Sequence, residues 1–145
     1  MAEGADSRPL GDVDPHAGFP GLIGLQLDEM SPTRVTAHLE VGSQHLQPLG
    51  LVHGGLYATI AETLASIGAA LSAAAQRPGH GVVGLENHTS FLRAGRAGDR
   101  IEAEALARQP GRRVQRWTVT MRRAGDGREL AASTVSLLLV RPEDM

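Results

Sequence analysis

Residues 53–76 read HGGLYATIAETLASIGAALSAAAQ, a long stretch free of proline. Leu56, Ile60, Leu64, Ile67 and Leu71 recur at spacings of four, four, three and four. That spacing places them in one apolar stripe along an α-helix of ~35 Å. The helix is expected to stop near Arg77-Pro78-Gly79, where a breaker and a turn residue meet. Glu62 is the only charged residue between His53 and Gln76. On a helical wheel it lies roughly opposite the stripe, among Ala58, Ala61, Ala65, Ser66, Ala69 and Ala73. A solvated helix face carries several Lys, Glu or Arg, so this second face is expected to be covered, by something close enough to require alanine.

Outward from the helix the period changes to two. Thr33–Val41 alternates strictly, and Val82–Arg93, Ile101–Arg108, Arg112–Arg123 and Leu130–Val140 repeat the pattern, so each reads as a half-buried strand. Gly21–Leu27 is a shorter strand candidate, and Gly42–Val52 reads as a loop. The connectors 94–98, 109–111 and 124–127 are short and glycine-bearing, which predicts an antiparallel meander. One helix and these strands make an α+β domain, a curved antiparallel sheet wrapped around one long central helix.

Composition narrows the function. The chain has 145 residues and a net charge of −2, with 18 glycines, no cysteine and only four aromatic residues, Phe19, Tyr57, Phe91 and Trp117. Near charge balance and few rings argue against nucleic-acid binding. The absence of cysteine removes thiolate chemistry and disulfides. His16, His38, His45 and His80 have no ligand spacing, so neither metal nor resident cofactor is implied. Residues 1–19 lack an apolar signal core and are expected to be a mobile tail on a cytoplasmic protein, with one domain over 20–141. Leu56–Ala75 is long enough to span a membrane, but Glu62 and its Ser and Thr neighbours oppose that reading. A core with few rings gains density by close backbone approach, which Gly and Ala allow. So small a domain also hints at a cleft shared between copies.

The chemistry lies at the helix start and at Glu62. Gly54 and Gly55 let a ligand approach free N–H groups at the positive end of the helix dipole. A carbonyl developing negative charge requires such donors. A tight loop-to-helix turn is the plainer reading of the same glycines. A carboxylate on a covered face gains basicity, although a surface glutamate paired with a strand arginine fits position 62 as well. Gly54 and Glu62 lie ~12 Å apart along the helix. If both act on one carbonyl, Glu62 must come from a second, antiparallel copy, which predicts a two-fold dimer.

Residues 48–66, PLGLVHGGLYATIAETLAS, and 82–93, VVGLENHTSFLR, resemble the hotdog-fold acyl-CoA thioesterases. The closer branch is the phenylacetate-degradation type, which includes 4-hydroxybenzoyl-CoA and 1,4-dihydroxy-2-naphthoyl-CoA thioesterases with a helical Glu. The resemblance runs from about residue 20 to 140. It implies hydrolysis of an acyl-CoA or aryl-CoA thioester by a homodimer or homotetramer, with coenzyme A as part of the substrate rather than a cofactor. Gly54 would donate to the thioester carbonyl, supported by Gly55, and Glu62 would be nucleophile or general base. Gln47 would orient substrate or water, Ser66 would position the carboxylate, and His53 would be catalytic or bond the loop. The dihydroxynaphthoyl branch carries a His close to where this chain has Phe91. Arg93, Arg112, Arg113 and Arg116 are candidates for the coenzyme A phosphates, since Arg suits bidentate phosphate contacts. Asn87-His88-Thr89 matches a glycosylation sequon and is read as coincidental. The same fold also serves hydratases and dehydratases, whose Asp/His pair is not found here, and non-catalytic acyl-CoA-binding modules.

Overall fold

The computed structural model describes residues 13–145. Of the expected N-terminal tail, residues 1–12 lie outside the described residues. Residues 13–18 form turns, with the Ala17 N–H donating to the Asp14 carbonyl at 3.0 Å. The elements then run α1 Phe19–Leu22, β1 Gln26–Met30, β2 Arg34–Glu40, α2 Gly54–Gln76, β3 Gly81–Phe91, β4 Arg100–Pro110, β5 Val114–Arg123 and β6 Glu129–Val140. The early strand expected at Gly21–Leu27 is corrected. Pro20 sits in the first turn of α1, where its missing N–H costs nothing. Gly24 then turns the chain at φ +77° before β1 starts.

Six antiparallel strands form one sheet in the order β1-β2-β4-β5-β6-β3. The expected meander therefore holds from β4 to β6 and fails at β3, which pairs with β6 along its whole length instead of with β4. The connector after β3 is a crossover rather than a hairpin turn. It must pass three strand spacings, about 14 Å, and residues 92–99 reach up to about 27 Å when extended. Arg123 holds it down, with Nη2 donating to the Ala94 carbonyl and Nε to Asp99. β3 is left as a sheet edge.

α2 lies across the concave side, with β2 to β6 all contacting it. Its apolar length is a core helix, and Leu56, Ile60, Leu64 and Ile67 are buried in the cluster around Trp117, Met121 and Leu137. Ala61, Ala65, Ala69 and Ala73 are buried inside the same chain, not on a face left for another copy. A curved sheet covers more than half of the helix circumference, so the alanine row serves close approach to the sheet itself. Gly68 is the tightest point, because a Cβ there would fall into the Trp117 ring. Trp117 Nε1 donates to Gln115 Oε1 at 3.1 Å, and Gln115 Nε2 to Ser72 Oγ at 3.2 Å. This buried polar chain fixes the ring against the helix. The part of α2 left half-buried or exposed carries Gly55, Thr59, Glu62, Ser66, Ala70 and Ala74.

Candidate active site

The start of α2 is built by its own sequence. His53 is the N-cap: its Nδ1 accepts the Gly55 N–H at 2.8 Å, and its carbonyl accepts the Leu56 N–H at 2.9 Å. With Nδ1 accepting, the neutral ring carries its proton on Nε2. Capping consumes two of the orphan donors at the helix start. The Gly54 N–H has no acceptor among the described residues. It opens on a cavity of about 350 Å³ lined by Gln47, Val52, Tyr57, Phe91, Arg93 and Gly95. A Cβ at Gly54 would stand 2.6 Å from Cζ of Phe91, so any larger residue there requires the exposed Phe91 ring to shift.

Gln47 faces the same cavity. Its Oε1 accepts the Leu49 and Leu51 N–H groups, which turns the carboxamide and leaves Nε2 without an acceptor among the described residues. Arg93 also lines the cavity, with Nη1 on the Glu129 carbonyl at 3.0 Å. Tyr57 is buried, and its hydroxyl has no partner among the described residues. Burial raises its pKa above the ordinary tyrosine value, the Asp99 charge adds to the rise, and Arg123 opposes it. The sequence brings these groups together from three places: the loop before α2, the helix start and the end of β3.

Glu62 stands more than two turns further along α2, half-buried. Its carboxylate lies over Gly84 of β3, where any Cβ would collide with Oε1. Asn87 Nδ2 donates to Oε2 at 3.4 Å. Ser66, expected to position this carboxylate, makes no hydrogen bond to it among the described residues. Gly84 and Asn87 face α2 together only because β3 carries a bulge between Gly84 and Glu86. Strict alternation puts positions three apart on opposite faces.

Residues 49–130 match the family described as the thioesterase superfamily. Over 103 residues the chain is 35% identical to 1,4-dihydroxy-2-naphthoyl-CoA thioesterase 2 of Arabidopsis thaliana, covering 71% of this chain and 63% of that protein. The chain belongs to the thioesterase superfamily. This thioesterase is also 34% identical over 102 residues to the 1,4-dihydroxy-2-naphthoyl-CoA hydrolase of Listeria monocytogenes, covering 70% of this chain and 80% of that one. Its fold superposes on the crystal structure of S. sahachiroi AziG with a TM-score of 0.80 and 31% identity, over 86% of this chain and 98% of that one. The α+β architecture is thus the hotdog fold.

Within the thioesterase, the expected phosphate cations divide. Arg93 is at the Gly54 cavity, whereas Arg112 and Arg113 line a second cavity of about 440 Å³ with Arg77, His80 and Arg141. That cavity lies past the C-terminal end of α2, about 33 Å along the helix from Gly54. Arg116 is exposed on the outer face of β5. Among the described residues no three His, Asp or Glu side chains are grouped to hold a metal ion. Asn87, which touches Glu62, is a residue that the sequence offers only as a chance sequon. Its signal was a polar residue on a strand opposite Glu62, legible only once the bulge is known.

Proposed function

We propose that this hotdog thioesterase hydrolyses an acyl-CoA or aryl-CoA thioester to the free acid and coenzyme A. The family and the coenzyme A thioesters named for its relatives support that class. One observation carries the mechanism. The Gly54 N–H at the α2 start, without an acceptor among the described residues, belongs to a residue that lines a cavity, while the only carboxylate of α2 lies ~12 Å further along the same helix. The thioester carbonyl oxygen accepts from Gly54, whose dipole-assisted donor stabilises the charge that develops on it. Glu62 of a second copy approaches the carbonyl carbon, as nucleophile or as the base that takes a proton from water. Gln47 Nε2 is placed to hold substrate or water at the cavity wall.

The free edge of β3 supports a two-fold pair. Val83 and Leu85 are 46% and 54% exposed along it, and an unpaired apolar edge is a template for another strand. Antiparallel pairing there sets the Gly81 end of one strand beside the Phe91 end of the other. It also brings the C-terminal end of one α2, with Arg112 and Arg113, toward the Gly54 end of its mate. Those arginines then meet the coenzyme A phosphates from across the pair, with Arg93 at the acyl end. Further pairing of dimers gives a homotetramer.

Glu62→Ala tests the mechanism. The variant is expected to stay folded and dimeric and to lose at least about 10³ in kcat in a thiol-release assay over a panel of aryl- and alkyl-CoAs. Glu62→Asp keeps part of the turnover, because a shorter acid still activates water. Wild-type turnover in Glu62→Ala removes the mechanism.

A further inference from the structure

The bulge in β3 turns Asn87 toward α2, and the hydrogen bonds around it leave its amide one orientation. Nδ2 donates to the Ala58 carbonyl at 3.0 Å and to Glu62 Oε2 at 3.4 Å. Oδ1 accepts from Thr89 Oγ1 at 2.7 Å. Thr89 spends its one proton on that bond, so in its 2.7 Å contact with Ser133 the donor is Ser133 Oγ. A flipped amide would point an acceptor at a carbonyl and a carboxylate, neither of which can donate. A chain of hydrogen bonds thus runs from Ser133 on β6 through Thr89 and Asn87 on β3 to one oxygen of Glu62. The other oxygen, Oε1, lies over Gly84, in space that a side chain at that position would fill.

We propose that Asn87 is a positioning residue for the catalytic carboxylate: it ties Oε2 of Glu62 to the sheet and so presents Oε1 as the reacting oxygen. Ser66 lies on the same helix but makes no such bond, so the strand, not the helix, orients the acid. This rests on the reading of Glu62 as catalytic. Thr89 and Ser133 act one step back, by holding the amide in the donating direction.

The test is a double-mutant cycle in steady-state kinetics. Asn87→Leu keeps the volume and removes the donor. It is expected to lower kcat roughly 10- to 100-fold with KM within about twofold. Aspartate at position 62 is one methylene shorter and does not reach Asn87. In a Glu62→Asp background the same Asn87→Leu change is therefore expected to cost less than about threefold. Asn87→Asp, equal in size with an acceptor in place of the donor, guards against misfolding of the Leu variant; folded by circular dichroism, it is expected to be as impaired as Asn87→Leu. Wild-type kcat in either folded variant overturns the proposal, as does a loss of equal size in the Glu62→Asp background. Full turnover in Glu62→Ala would instead sink the underlying mechanism, so the two failures are told apart.

Discussion

Tyr57 carries a cost that single residues rarely show so openly. Its ring is a core element, packed toward Phe91 with centroids 6.3 Å apart, while its hydroxyl is buried without a partner among the described residues. A buried, unsatisfied hydroxyl forfeits its hydration, at a cost of about 1–3 kcal/mol. Tyr57→Phe is therefore expected to be at least as stable as the parent at pH 7 in urea unfolding, with a gain of about 1 kcal/mol. The pH dependence follows in sign. The folded-state pKa is raised, chiefly by burial, so the folded chain holds this proton more tightly than the unfolded chain. Stability tied to it is intact below the unfolded tyrosine value, about 10, and is lost as pH rises from there through the folded value. The advantage of Phe should widen above pH 10. A less stable Phe variant would mean that the hydroxyl is paired after all. The same scale explains the helix start: His53 caps Gly55, and the Gly54 N–H keeps no acceptor among the described residues.

At the scale of elements, α2 was legible because its Leu and Ile spacing has a single interpretation, and its ends fall where Gly54 and Arg77-Pro78 place them. Three features were not. A helical wheel distinguishes faces but does not say how far a curved sheet wraps round them, so in the sequence the alanine row reads as a face awaiting a second copy. The connector 94–98 has the length of a hairpin turn, and only the pairing of β3 with β6 makes it a crossover, which Arg123 holds at Ala94 and Asp99. The β3 bulge reverses alternation after Gly84, which hid Asn87 beneath a sequon. Gly68 tests the packing that the alanine row serves. Glycine to alanine in a helix interior ordinarily gains about 1 kcal/mol. Here a Cβ meets the Trp117 ring, fully buried and held through Gln115. Gly68→Ala is expected to lose about 1–3 kcal/mol in urea or thermal unfolding, with a stabilised variant showing that the ring has room to yield.

At the scale of the whole molecule, the two groups that the proposed mechanism joins in one reaction centre lie in different places. The donor end of α2 faces its cavity, and Glu62 faces the side bordered by the free edge of β3. Small size and a glycine- and alanine-rich composition hinted at a shared cleft; the distance between Gly54 and Glu62 gives that hint a geometry. Two disabled variants measure it most directly. Glu62→Ala removes the acid. Gly54→Pro removes the N–H at a helix position that accepts proline, after His53 whose φ −63° and ψ 131° suit a residue before proline; the ring it adds displaces the largely exposed Phe91 side chain, which has room to swing aside. Each alone should have under about 1% of wild-type turnover. Co-expressed in equal amounts, they should form mixed pairs in which one of the two sites draws Gly54 from one copy and Glu62 from the other. Random pairing then restores about a quarter of wild-type specific activity. Activity no higher than that of either variant alone would contradict a site shared between two copies.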